Sequence, residues 1–364
     1  MKWSPEQDAA LQAVSAWLKS GENQVFRLFG YAGTGKTTLA RTLAADVDGD
    51  VAFGAFTGKA ALVLRHKGCE NASTIHSLIY RTREADTDTP SFVLNKESAA
   101  AKASLIIIDE CSMVDEDLAR DLLSFGTPVL VLGDPAQIPP VKGGGYFTDA
   151  EPDAMLTEVH RQAADNPIIA LSMQIREGGR LTPGTYGESR VIRRDQLGAA
   201  MVTRADQLLV GTNKSRRSFN KRMRELLGFT HAMPEVGEKL VCLRNDKKKG
   251  LLNGGTWLVD SLQPMRGTKL KMTVSPEEER GKKAVKISVL PAYFEGKEDE
   301  LSMAVRRESD EFDYGYALTV HKAQGSQWNS VVLFDESYAF REHRSRWLYT
   351  GLTRAAEKII VVVD

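Results

Sequence analysis

Cysteine is scarce in this sequence: Cys69, Cys111 and Cys242 are the three in 364 residues. An odd number at wide spacing excludes a disulfide framework and a cysteine metal site, and suits a reducing cytoplasm. Excess charge is also missing. Lys+Arg and Asp+Glu both number 48, so the formal net charge is zero. A globally basic nucleic-acid binder is therefore excluded, although a local basic groove is not. No apolar run approaches membrane-spanning length, and the N-terminal residues carry no signal-peptide pattern, so a cytoplasmic protein with no membrane partner is expected. Internal repeats and low-complexity segments are absent. What remains is an ordinary globular composition, 42% apolar and 26% charged, and a length that favours two domains over one.

Glycine gathers in one telling stretch, Gly30-Tyr31-Ala32-Gly33-Thr34-Gly35-Lys36-Thr37. It fits G-x-x-x-x-G-K-[ST], the phosphate-binding loop. Val25 to Phe29 reads as a buried strand and Lys36 to Ala45 as a helix, the surroundings such a loop requires. Glycines let the backbone curl so that several N–H groups face phosphate oxygens. The helix N-terminus adds partial positive charge. Gly33, Thr34, Gly35, Lys36, Thr37 and Thr38 are the candidate nucleotide-binding residues. Lys36 would reach the β- and γ-phosphates, and the Thr37 hydroxyl would hold Mg²⁺. Upstream, Ser4-Pro5-Glu6-Gln7 opens a helix with Ser4 as N-cap and Gln7 at the capping-box position. The Gln7 amide suits that local role or recognition of a base beside the loop; both can hold.

Further along, Leu105-Ile106-Ile107-Ile108 is a continuous apolar run that delivers Asp109-Glu110 at its C-terminal end. That is the edge where open α/β sheets bind ligands. Asp109 would hold Mg²⁺ through water, and Glu110 would act as general base on an attacking water. Pro128 to Leu132 reads as another buried strand, followed by a proline-rich turn bearing Gln137. An amide that both donates and accepts suits γ-phosphate sensing, though a plain turn residue is the alternative. Arg161 is either an arginine finger or a surface charge. Thr57, Lys59 and the run Ser73 to Leu78, which contains His76, place hydroxyls and a lysine at strand ends, where they can grip a phosphate backbone. The stretch Arg81 to Ala103 is polar except for Ser91 to Leu94. Its aromatic, Phe92, reads as an exposed functional tip or as an anchor packed inward. Asn213 to Leu227 reads as a basic helix with a solvated face. From Asp246 to about Asp310, tight-turn signals and alternating residues suggest a small β module.

Taken together, the phosphate loop, Ala55 to Ala61, Ser73 to Leu78, Ile107 to Met113, Leu132 to Val141, Leu156 to Gln162, Ala317 to Trp328 and Tyr349 to Ala356 resemble, in this order, the motif series of superfamily 1 helicases. Lys322-Ala323-Gln324-Gly325-Ser326, Gly211-Thr212-Asn213 and the small inserts look most like the RecD/Dda-like group. The resemblance implies an α/β fold of two RecA-like P-loop domains with parallel sheets. The first would span residues 1–168 with a strand-separating hairpin insert at 81–103, in which Phe92 would be either the wedge that stacks on the last base pair or an inward anchor. The second would span 169–364 with an SH3-like β insert at 246–310. ATP with Mg²⁺ would lie in the cleft between the domains. The resemblance assigns Gln7, Gly35, Lys36, Thr37, Asp109, Glu110, Gln137 and Arg161 to the ATP site, with Arg354 as a second arginine finger and Gly325 also at the nucleotide. Thr57, Lys59, His76, Thr319 and His321 match segments that touch single-stranded DNA. The implied activity is ATP-dependent 5′-to-3′ translocation on single-stranded DNA and unwinding at duplex junctions. The alternative is a DNA-stimulated ATPase that translocates or remodels protein–DNA complexes without efficient unwinding. A monomer is expected; protein partners are unknown.

Overall fold

The computed structural model describes residues 3–83, 91–139, 145–158, 166–246, 248–265, 267–277 and 284–364. It divides into two compact units, Met1–Arg180 with Ser345–Thr353, and Leu181–Arg344 with Arg354–Asp364. The first unit thus runs past residue 168. The helix Pro167–Arg176 goes with it, and the Arg176 guanidinium lies 3.8 Å from the centre of the Tyr31 ring.

The first unit begins as its capping signals require. Ser4 Oγ accepts from the Gln7 N–H and Gln7 Oε1 accepts from the Ser4 N–H, so the helix Pro5–Ser20 starts with two otherwise unmet donors satisfied. The strands are β1 (Val25–Gly30), β2 (Val51–Ala55), β3 (Ser73–Thr74), β4 (Tyr80–Arg83), β5 (Ser91–Leu94), β6 (Leu105–Asp109), β7 (Val129–Gly133) and β8 (Ala154–Leu156). Six of them form one sheet in the order β3-β2-β6-β7-β1-β8, and every pairing in it is parallel. Parallel strands need apolar residues on both faces. In β6, Leu105 and Ile107 enter one buried cluster with Leu28, Leu39 and Leu132. Ile106 and Ile108 enter another with Phe29, Val129 and Val131. The side-chain period of two sorts one apolar run onto two cores. Strands β4 and β5 form a separate antiparallel hairpin.

In the second unit, β9 (Gly184–Tyr186), β10 (Ser189–Arg193), β11 (Gln207–Val210), β17 (Ala317–Thr319), β18 (Trp328–Phe334) and β19 (Ala355–Val363) make a sheet in the order β17-β11-β18-β19-β10-β9. It is parallel except for the β9–β10 hairpin. A second sheet, fully antiparallel, joins β12 (Lys239–Cys242), β13 (Thr256–Leu262), β14 (Leu270–Pro276), β15 (Val285–Val289) and β16 (Phe312–Tyr314) in the order β15-β14-β13-β12-β16. The β module is therefore wider than residues 246–310. The turn signal at Asp246 is real, since Asp246 bridges Leu251, but it lies inside the module.

The helix Asn213–Leu226 also departs from its reading as a solvated basic face. Arg216 is buried against Asp313. Arg224 clamps the fully buried Glu238 at 2.7 and 2.9 Å, and its guanidinium lies 4.3 Å from the Tyr314 ring centre. Two of the charges are structural pairs that a sequence pattern cannot distinguish from surface lysines and arginines. Breaking a buried pair by removing one partner leaves an uncompensated charge. Urea unfolding of Glu238→Gln should show a loss of about 3–5 kcal/mol; an unchanged midpoint would mean the pair carries no stability.

Candidate functional site

The site is built on the C-terminal ends of adjacent parallel strands. Strand β1 stops at Gly30 because the chain must turn under crowding there. A Cβ at Gly30 would sit 2.7 Å from Thr34 Oγ1 and 2.8 Å from Leu156 Cβ. Gly33 and Gly35 take φ of 81° and 82°, the left-handed region that favours glycine. Gly35 is the N-cap of the helix Lys36–Ala45 and has no side chain with which to cap it. The helices beginning after Ser4, Thr57, Thr74, Asp115 and Thr212 are capped by those side chains. The leading N–H groups of the Lys36 helix are thus available to an anion.

Lys36 Nζ donates to the Gly30 carbonyl at 2.5 Å and the Tyr31 carbonyl at 2.9 Å. Its ammonium is held over the loop by backbone oxygens that phosphate oxygens can replace. Gln7 Nε2 donates to the Thr34 carbonyl at 3.0 Å. One Gln7 side chain therefore caps its own helix and tethers the loop. Glu6 beside it accepts from Thr157 N, Thr157 Oγ1 and Glu158 N at 2.7, 2.7 and 2.8 Å. Partial burial opposes ionisation of Glu6, but these donors, led by Glu158 N–H, hold its carboxyl below the ordinary value.

Strand β6 lies two places from β1 and delivers the carboxylates. Thr37 Oγ1 donates to Asp109 Oδ2 at 3.1 Å, while Asp109 Oδ1 accepts from the Glu110 N–H at 2.9 Å. Burial pushes the Asp109 carboxyl up, and the neighbouring Glu110 charge adds to it; Lys67 and Lys36 oppose. Glu110 sits at φ 53°, a left-handed conformation unusual for a non-glycine residue. Strain of this kind collects at functional positions. Thr37 and Asp109 offer two hard oxygens side by side, which fits Mg²⁺. Among the described residues no group of three or more His, Cys, Asp or Glu comes together. A Mg²⁺ ion here would draw its other ligands from phosphate and water, its ordinary habit.

Strand β7, between β6 and β1, leads into the turn that carries Gln137. Gln137 is buried, and its Oε1 has no hydrogen-bond partner among the described residues. The turn is pinned by Asp134: its Oδ1 accepts from Ala136 N at 3.0 Å and its backbone carbonyl from Gln137 N at 3.1 Å. Burial raises the Asp134 carboxyl above its ordinary value. Its Oδ2 accepts at 2.7 Å from Tyr349, whose hydroxyl accepts at 2.8 Å from the Ala32 N–H. The sequence alone does not single out Asp134 and Tyr349, although both lie inside the motif blocks quoted above; nothing in a linear pattern pairs residues 215 positions apart.

The remaining residues fall into separate places. Arg161 lies outside the described residues. Arg354 belongs to the second unit, buried, with its guanidinium donating to the Ser326 carbonyl at 3.3 Å. Gly325, just before Ser326, has φ of 72°. Thr57 caps the helix Gly58–His66 at the end of β2, and Lys59 is buried in that helix's first turn. Exposed His76 follows β3, next to β2 in the sheet. In the second unit Thr319 closes β17, and its hydroxyl accepts from the Lys322 N–H at 3.3 Å. The His321 ring lies 5.3 Å from Phe340, and burial lowers its pKa. Phe92 is 52% exposed. It sits in the hairpin opposite Thr82, edge-on to His76 at 4.5 Å, with Tyr80 on His76 at 4.6 Å.

A phosphate loop, a hydroxyl–carboxylate pair and a buried glutamine at one edge of a parallel sheet form an arrangement suited to a nucleoside triphosphate. The AAA domain family matches residues 2–194, and a UvrD-like helicase C-terminal domain matches residues 314–362. The chain is 30% identical to the ATP-dependent RecD2 DNA helicase of Deinococcus radiodurans over 91% of its own length and 46% of that protein's. It is 33% identical to the ATP-dependent DNA helicase dda of Enterobacteria phage T4 over 41% of its length and 37% of that protein's. It therefore spans less than half the length of these relatives. A crystal structure of Bacteroides Pif1 bound to single-stranded DNA shares the fold, with a TM-score of 0.59, 19% identity, and coverage of 99% of this chain and 92% of that one. The chain belongs to the AAA domain family, and its likeness to RecD2 and dda agrees with its resemblance to the RecD/Dda-like superfamily 1 helicases.

The crowding at Gly30 gives a direct check on the loop. In Gly30→Ala the new methyl must displace both Thr34 and Leu156, at a cost of about 1–3 kcal/mol. The thermal shift that an ATP analogue gives the wild-type protein should be lost or much reduced in this variant. A full shift would mean that the loop tolerates the methyl.

Proposed function

We propose that this chain is an ATP-driven motor that moves 5′ to 3′ along single-stranded DNA and separates duplex at junctions. The observation that carries the reading is the order of parts along one sheet edge. The phosphate loop and the Gln137 turn follow β1 and β7, Asp109 closes β6, and Thr57 and His76 follow the next strands, β2 and β3. Residues suited to nucleotide and residues suited to a DNA strand thus share one rigid scaffold. The family membership and the likeness to RecD2 and dda support the same reading. No helix among the described residues is long and apolar enough to cross a membrane. We take both units to be RecA-like, the antiparallel sheet to be an SH3-like insert, and the working form to be a monomer.

Bound ATP with Mg²⁺ would supply the phosphoanhydride bond and neutralise its charge. The chain's own residues do the rest. Lys36 exchanges the Gly30 and Tyr31 carbonyls for phosphate oxygens, and Thr37 and Asp109 hold the cation. Glu110 takes the proton of the attacking water, and Gln137 orients that water and reads the γ-phosphate. Arg161 and Arg354 stabilise charge on the transferring phosphoryl. Gln7 holds the loop by its Thr34 bond and faces the base; Gly325 serves the nucleotide from the second unit. Thr57, Lys59 and His76 in one unit, and Thr319 and His321 in the other, grip the strand. Contacts of this kind are mostly to phosphate, hence sequence-tolerant and salt-sensitive. Phe92, half exposed and in a T-shaped contact with His76, stacks on a base at the junction.

Lys36→Ala should lose nucleotide affinity and turnover together. Glu110→Gln should keep affinity and lose the chemical step; normal turnover in that variant would remove the general-base assignment. Duplexes with a single-stranded tail at one end test the polarity. Those with a 5′ tail should be unwound in preference, and preference for a 3′ tail would overturn the direction while leaving the motor intact.

A further inference from the structure

Tyr349 joins two loops of the nucleotide site through one oxygen. The segment Ser345–Thr353 packs within the first unit, and Trp347 to Leu352 are all buried. From this segment the Tyr349 hydroxyl accepts from Ala32 N in the phosphate loop at 2.8 Å and donates to Asp134 Oδ2 at 2.7 Å. Asp134 in turn fixes Ala136 and Gln137 through their N–H groups. One residue on, Thr350 Oγ1 accepts from Ile138 N at 2.8 Å, which anchors the far side of the same turn. The phenol is buried, and burial together with the Asp134 carboxylate pushes its pKa far above the ordinary value. It therefore stays protonated and keeps its donor. An aromatic side chain has few rotatable bonds, so the bridge is stiff. We propose that Tyr349 is a positioning residue for hydrolysis: its hydroxyl locks the phosphate loop to the Gln137 turn, so that the group reading the γ-phosphate is held in register with the loop that cradles it. The inference rests on the ATPase reading above.

Tyr349→Phe keeps the ring and removes the bridging oxygen. In steady-state ATPase assays its kcat should fall about tenfold, the loss of one well-aligned hydrogen bond to a charged group. Binding of an ATP analogue should change far less, and the melting temperature should stay near that of wild type. Asp134→Asn should behave alike, because an amide offers one acceptor where Ala136 and Tyr349 need two. The double variant should lose no more than either single one, since both break the same bridge. If Tyr349→Phe fails to fold, Asp134→Asn alone carries the test. Full kcat in a folded Tyr349→Phe protein, or additive losses in the double variant, would overturn the positioning role and leave the ATPase intact. A wild-type protein that does not hydrolyse ATP would instead overturn the functional reading, and this inference with it.

Discussion

A parallel sheet places the carboxyl ends of all its strands on one edge, and the first unit depends on that constraint. Adjacent strands β6, β7 and β1 each end in a polar segment: Asp109-Glu110, Asp134 to Gln137, and the phosphate loop. Their apolar bodies are buried on both faces, so the strand ends cannot drift. This lets Thr37 and Asp109, 72 residues apart in sequence, meet at 3.1 Å. It also sets Asp109 in surroundings so buried that its charge is costly, a cost that a bound cation would relieve.

Strain and polarity concentrate where the chain leaves this scaffold. Glu110 adopts a left-handed backbone directly after β6, and Gln137 keeps a buried oxygen without a partner among the described residues. Both are costs that a purely structural sheet end would avoid. Helix starts are capped by Ser4, Thr57, Thr74, Asp115 and Thr212, whereas the helix after the phosphate loop is headed by glycine.

Much of this site is legible in the sequence because its signals are local. A glycine loop between strand and helix, an apolar run ending in two carboxylates, and a capping box each declare themselves within ten residues, and the structure shows these elements where they were read. Long-range pairings are not legible. The Tyr349 bridge spans 317 residues to Ala32. The Arg224–Glu238 clamp looks, in sequence, like any surface arginine and glutamate. The edges of the β module were misplaced for a related reason. Lys239–Cys242 is four residues long and fully buried, so it shows no alternation, and the tight turn at Asp246 is the louder signal. The unit boundary moved because helix Pro167–Arg176 goes with the first unit, where Arg176 packs on Tyr31, a contact that no linker composition announces.

The central claim is that hydrolysis at the β1–β6–β7 edge is coupled to a DNA strand held by the same scaffold. Steady-state ATPase measurement on the wild-type protein, with and without an unstructured single-stranded oligonucleotide, tests it most directly. The account predicts slow hydrolysis alone, a steep rise with added DNA, and loss of that rise as salt is increased, because the grip is mainly on phosphates. The same rate with and without DNA at low salt would contradict it.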